Sequence, residues 1–146
     1  MPSVNQILSA AQGAYDWPER NCVTTGMELY ESLSDNPSSA VREIFGAFLT
    51  IKKEERAWRD AFTLGGPLVV WRTAMGETAI EVSDLRPGDF VFFREEMRIG
   101  NHIFPAKEGR EGLGFVDGGY AILYWTPDGM RPVSAPYPPR TVLRIA

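Results

Sequence analysis

"EVSDLRPGDFVFF", residues 81–93, is where the chain changes character. Pro87, Gly88 and Asp89 form a turn signal, and the apolar run Phe90–Phe93 that follows reads as a short strand buried on both faces. Before this stretch the apolar residues recur at helical spacing. After it, "GLGFV", "YAILYW", "RPV" and "TVLRI" read as further strands, separated by the turn signals "DGG", "TPDG" and "APYPP". The spacing suits an antiparallel meander. Helices first and strands second imply an α+β domain, with helices packed on one face or end of a small antiparallel sheet. The helical part covers about residues 1–76 and the sheet part about 77–146, with no internal repeat and no linker between them.

Working back from the turn, "GPLVVWRTAMG" reads as a short helix begun at Pro67, although its β-branched pair leaves a buried strand open. Gly65 and Gly66 stop the helix of "KKEERAWRDAF", which places Trp58 and Phe62 at i and i+4. "AVREIFGAFL" repeats the apolar spacing after "SDNPSS", with Pro37 expected in its first turn. Ser3 can cap a short helix through about Gln12. The next helix runs from Cys22 to about Ser34 and carries Val23, Met27 and Tyr30 on one stripe, with Gly26 allowing close packing. These first two helices are expected to pack as a pair.

The chain has 146 residues, 44% apolar and 12% aromatic, enough to bury a core as one domain. Its net charge of −4 and pI near 5.0 offer no general attraction to phosphate backbones, so nucleic acid is not an expected partner. No run approaches the ~18 apolar residues of a membrane span, and "MPSVNQILSA" lacks the basic start and apolar core of a signal peptide. A soluble chain made in the cytoplasm is expected. One cysteine and one histidine can build neither an internal disulfide nor a Cys/His zinc site, and no cofactor motif is present.

Cys22, in "PERNCVTTGMELYESL", is the residue with the most chemical promise. Asn21 can cap the helix, which puts Cys22 in the first turn, where backbone N–H groups and the helix dipole stabilise a thiolate. One reading is a nucleophile for acyl transfer, with nearby N–H groups holding the oxyanion. The other is a small buried core residue. His102, in "MRIGNHIFPAKEG", is the only histidine, so an imidazole base must be this one, brought back over Cys22 by a hairpin in "EEMRIGNHIF". Otherwise His102 sits in an exposed turn. Asp16, Glu19 and Asp89 are further acid or base candidates, but Asp89 suits bonding to its own turn and Glu19 suits the start of a helix. Tyr15, Trp17 and Trp125 could form an aromatic wall beside Cys22, either as a binding groove or as packing between helix and sheet. "RPVSAPYPPRT" can lie along a neighbour's surface or cover a sheet edge.

A cysteine starting a helix, then "LRPGDFVFF", then "GLGFVDGGYAILYW" resembles the NlpC/P60 cysteine peptidases, whose papain-like core cleaves peptidoglycan peptides. The resemblance spans roughly residues 10 to 125 and extends to the short NlpC/P60-like proteins encoded among bacteriophage tail genes; here "YDWPERNC" stands for their Trp and Asp-Cys pair. The family's strand typically begins "HVGIY". Aligning "GLGFV" on it puts Gly112 in place of the general-base histidine. The family's third polar residue falls at Leu123 or Tyr124, depending on one gap, and Asn21 replaces the usual aspartate. The resemblance therefore implies a structural component of a phage tail tip or baseplate, bound to other tail proteins in the virion, whose catalytic site has decayed. The alternative is an active virion peptidase or amidase cutting peptidoglycan, with Cys22 as nucleophile and His102 as relocated base.

Overall fold

The computed structural model describes residues 3–10, 15–17, 19–94, 97–99, 102–104, 111–126, 129–132 and 141–146. Five helices come first: α1 Val4–Ala10, α2 Cys22–Leu33, α3 Ser39–Leu49, α4 Glu54–Thr63 and α5 Pro67–Met75. A 3-10 turn, Gly76–Thr78, leads into the strands β1 Ala79–Val82, β2 Phe90–Arg94, β3 Met97–Ile99, β4 His102–Phe104, β5 Glu111–Val116, β6 Ile122–Thr126, β7 Gly129–Pro132 and β8 Thr141–Ile145. The class is α+β, as the sequence implies. No helix among the described residues is long and apolar enough to cross a membrane.

Local chemistry sets the helix starts. Ser3 Oγ accepts from the Gln6 N–H while Gln6 Oε1 accepts from the Ser3 N–H, a reciprocal cap that begins α1. α5 starts with Pro67 at its first position, where the missing N–H costs nothing, so the β-branched pair Val69–Val70 is helical after all. Pro37 is not in the first turn of α3. Ser38 is the cap, its Oγ accepting from the Ala40 N–H, and the helix begins one residue later.

Six strands form one antiparallel sheet in the order β1-β8-β2-β5-β6-β7, and β3 and β4 pair separately. The run β2-β5-β6-β7 is a meander, but the expected continuation to β8 does not occur. β8 crosses back and inserts between β1 and β2. Burial explains the choice: Val142 and Leu143 are both buried and point to opposite faces, which needs a central position, whereas β7 ends in Pro132 and suits an edge. β1, an edge strand with Ile80 half exposed, has no strong sequence signal.

The sheet is covered on both faces, as the apolar run in β2 implies. Phe90 and Phe92 join Leu113, Phe115 and Leu143 in the core between sheet and helices; Val91 and Phe93 join Val116 and Val142 on the far face. Aromatic rings tie the helices to the sheet. Phe45 stacks on Trp71 at 3.8 Å, Trp71 meets Phe90 edge-on at 5.2 Å, and Phe90 meets Phe115 at 5.0 Å. A Cβ on Gly26 would lie 2.8 Å from the Trp71 ring, so this glycine lets α2 reach the stack.

The turn before β2 is held by an ion pair. Asp89, 1% exposed, accepts from the Arg86 N–H at 2.8 Å and takes both arms of the Arg144 guanidinium, Nε to Oδ1 at 3.0 Å and Nη2 to Oδ2 at 2.8 Å. Arg144 also reaches Asp84 at 3.2 Å. Its pKa is raised above the ordinary arginine value, chiefly by the hydrogen bonds to Asp89. Against desolvation, which pushes it up, the Asp84 carboxyl is lowered by its own backbone N–H, Arg144 and Arg86.

Candidate functional site

The start of α2 is the best-built polar feature near the cysteine. Asn21, fully buried, accepts at Oδ1 from the N–H groups of Val23 at 2.9 Å and Thr24 at 3.0 Å; Thr24 Oγ1 accepts from the Asn21 N–H at 3.0 Å. Ahead of it, Asp16 and Arg20 exchange two backbone hydrogen bonds at 2.9 and 2.7 Å, closing a tight loop that delivers the chain to the cap. Cys22 is therefore the first residue of α2, as the sequence implies. The cap has a chemical consequence. The Val23 and Thr24 N–H groups are taken by Asn21 and are not offered to an oxyanion.

Cys22 is 9% exposed and faces an apolar cavity of about 20 Å³ lined among others by Trp17, Phe45, Val70, Trp71 and Leu113. Such a volume admits about one water-sized molecule. No acid, base or amide side chain lines it among the described residues.

Among the described side chains, the sheet contributes only Leu113 to the cavity. Leu113 is the β5 residue that faces Cys22, while Gly112 pairs with Phe93 on the far side of the sheet, where its Cβ would lie 2.8 Å from the Phe93 ring. The position aligned with the family's histidine thus points away from the thiol and is closed by an aromatic ring. On β6, Leu123 and Trp125 pack toward the helices and Tyr124 toward the far face. His102 lies on β4, paired with Ile99 in the hairpin that leaves the main sheet between Arg94 and Glu111. Its side chain is outside the described residues.

Of the three aromatics expected near Cys22, only Trp17 is among the described residues lining its cavity. Tyr15 and Trp125 meet edge-on at 6.1 Å, and Trp17 lines the cavity. Each turns its polar atom inward: Trp17 Nε1 donates to the Ile51 carbonyl at 2.9 Å, Trp125 Nε1 donates to Thr25 Oγ1 at 2.9 Å, and the Tyr15 hydroxyl donates to Glu54. They bolt the loop, β6, α2 and the α3–α4 connection together. Asp16 and Glu19 do not line the cavity, and Asp89 is committed to Arg144 and its own turn.

Sequence reading missed Thr24, Thr25, the Ile51 carbonyl and Arg144. Only Thr24 carries a local signal, since Asn21 and Thr24 have the spacing of a capping box. The others are partners at sequence separations of 34 to 100 residues. No protein-family model, curated protein or solved structure matches the chain.

Proposed function

We propose that this chain is a structural component of a bacteriophage tail tip or baseplate, built on an NlpC/P60-like, papain-type fold whose catalytic site has decayed. One observation carries the inactivity: Gly112, the position aligned with the family's histidine, lies on the face of β5 away from Cys22, and the Phe93 ring closes the place where its Cβ would stand. A thiol activated for acyl transfer needs a base within hydrogen-bond reach. The Asn21 cap commits the Val23 and Thr24 N–H groups to holding the start of α2. The tail assignment rests on the order and spacing of the helix-start cysteine, "LRPGDFVFF" and "GLGFVDGGYAILYW". Its role is assembly, through contacts with other tail proteins.

The test is made on particles. Virions purified from cells expressing the chain with its phage should contain it at a fixed copy number, and Cys22→Ala should leave particle yield and infectivity within about twofold. Purified protein should release no new termini from muropeptides. Finding the chain only outside particles overturns the tail assignment, and cleavage that disappears in Cys22→Ala makes it a virion peptidase instead.

A further inference from the structure

Four of the described arginines are paired with a carboxylate within the chain: Arg42 with Glu31, Arg72 with Glu81, Arg86 with Asp84, and Arg144 with Asp89. Lys52, Lys53, Arg56 and Arg59 are different. All four are exposed, and none has a carboxylate within ion-pair distance among the described residues. Even Arg56 and Asp60, which share a helix face at i, i+4, form no pair. In a chain of net charge −4, residues 52–60 set these four cations against Glu54, Glu55 and Asp60, a local excess of one positive charge.

Three of these cations line an open cleft of about 490 Å³ at the α3–α4 connection, together with Thr50, Ile51 and Asp60. Its floor is held in place. Ile51 donates its N–H to Phe48 and accepts the Trp17 indole, and Thr50 donates both its N–H and its hydroxyl to the Ala47 carbonyl. We propose that this cleft docks an acidic segment of a protein partner, with spaced Asp or Glu carboxylates met by Lys52, Lys53 and Arg56.

The chemistry favours that occupant over other anions. The cleft, about 490 Å³, is much larger than a single small anion. A nucleic acid backbone, with one charge per ~1.7 Å of duplex, would meet Asp60 and the acidic remainder of the surface. Separated carboxylates avoid both problems, and Ile51 and the Thr50 methyl offer apolar contact between them. The inference goes beyond the assembly reading, and its test on the isolated protein is independent of whether particles contain the chain.

The probe is a labelled ten-residue peptide alternating Glu with Ser, titrated into the whole protein at ~50 mM salt and followed by anisotropy and amide chemical shifts. Binding should saturate, shift amides of residues 50–60, and weaken at least ~10-fold in Lys53→Glu/Arg56→Glu or on raising the salt to ~0.5 M. Arg72→Glu, which removes a cation elsewhere, should leave it unchanged. Both positions altered in the double variant are exposed, so an unchanged melting curve separates lost binding from lost fold. The proposal is overturned by absence of saturable binding, by shifts centred elsewhere, by displacement with millimolar phosphate, or by tighter binding of an oligonucleotide of equal charge.

Discussion

Tyr120 adopts φ 65° at the β5–β6 turn, although Gly118 and Gly119 beside it do not use that region. The left-handed conformation costs a residue with a Cβ about 1–2 kcal/mol, and a ring that is 62% exposed recovers little by burial. The turn is fixed by other groups: Asp117 Oδ1 accepts from Gly119 and Ala121, and Asn5 accepts from Gly118. Asparagine tolerates this backbone without the extra unfolded-state freedom of glycine, so Tyr120→Asn should raise stability by about 0.5–1 kcal/mol. Urea unfolding checks it; a loss of stability would show the ring makes contacts that its exposure does not reveal. Arg144 presents the opposite case. Arg144→Met leaves the buried Asp89 carboxylate unpaired and should cost about 3–5 kcal/mol, whereas Asp89→Asn keeps the Arg86 N–H bonded and leaves an arginine that can swing to water, so it should cost less. Equal losses in the two unfolding curves would contradict the assigned geometry. The sequence made Asp89 legible as a turn residue, but its partner lies 55 positions away, beyond any local pattern.

At the scale of elements, α2 organises the molecule because one face carries the cap, the cysteine and Gly26. Alanine at position 26 would gain up to about 1 kcal/mol in helix propensity. Its Cβ, however, would meet Trp71 at 2.8 Å, and that indole is 1% exposed and stacked on Phe45, so it moves only at a packing cost. Overpacking costs about 1–3 kcal/mol, so the net effect of Gly26→Ala should be a loss of about 1–2 kcal/mol, seen as a lower denaturation midpoint with unchanged slope. A gain would mean that α2 and α5 are not in contact through this glycine. The helices were legible because periodicity, capping residues and glycine stops agree over windows of about ten residues. β8 was legible as a strand but not in its place, since its neighbours are chosen by two-faced burial rather than by the turn preceding it. β1 was not legible, because four half-exposed residues at an edge bury too little to leave a pattern.

The whole molecule is a sheet covered on both faces, with helices on one of them, and that arrangement decides what Cys22 can do. The position of the thiol was readable from Asn21 and the helix spacing that follows. Its surroundings were not: whether Gly112 or Leu113 faces it depends on the pairing of β5 with β2, and a one-residue change of register exchanges the two faces. The register places Leu113 toward the thiol, so at that position β5 brings an aliphatic side chain. The measurement that tests this most directly is the rate of Cys22 alkylation at pH 6–7 in the native chain, in the urea-unfolded chain and in native His102→Ala, read by mass spectrometry. A closed cysteine in a decayed site should react at least ~10-fold more slowly in the native chain than in the unfolded one, and equally slowly in His102→Ala. Native labelling faster than in the unfolded chain, and slowed by His102→Ala, would mean that an imidazole activates the thiol, contradicting the account of a decayed site.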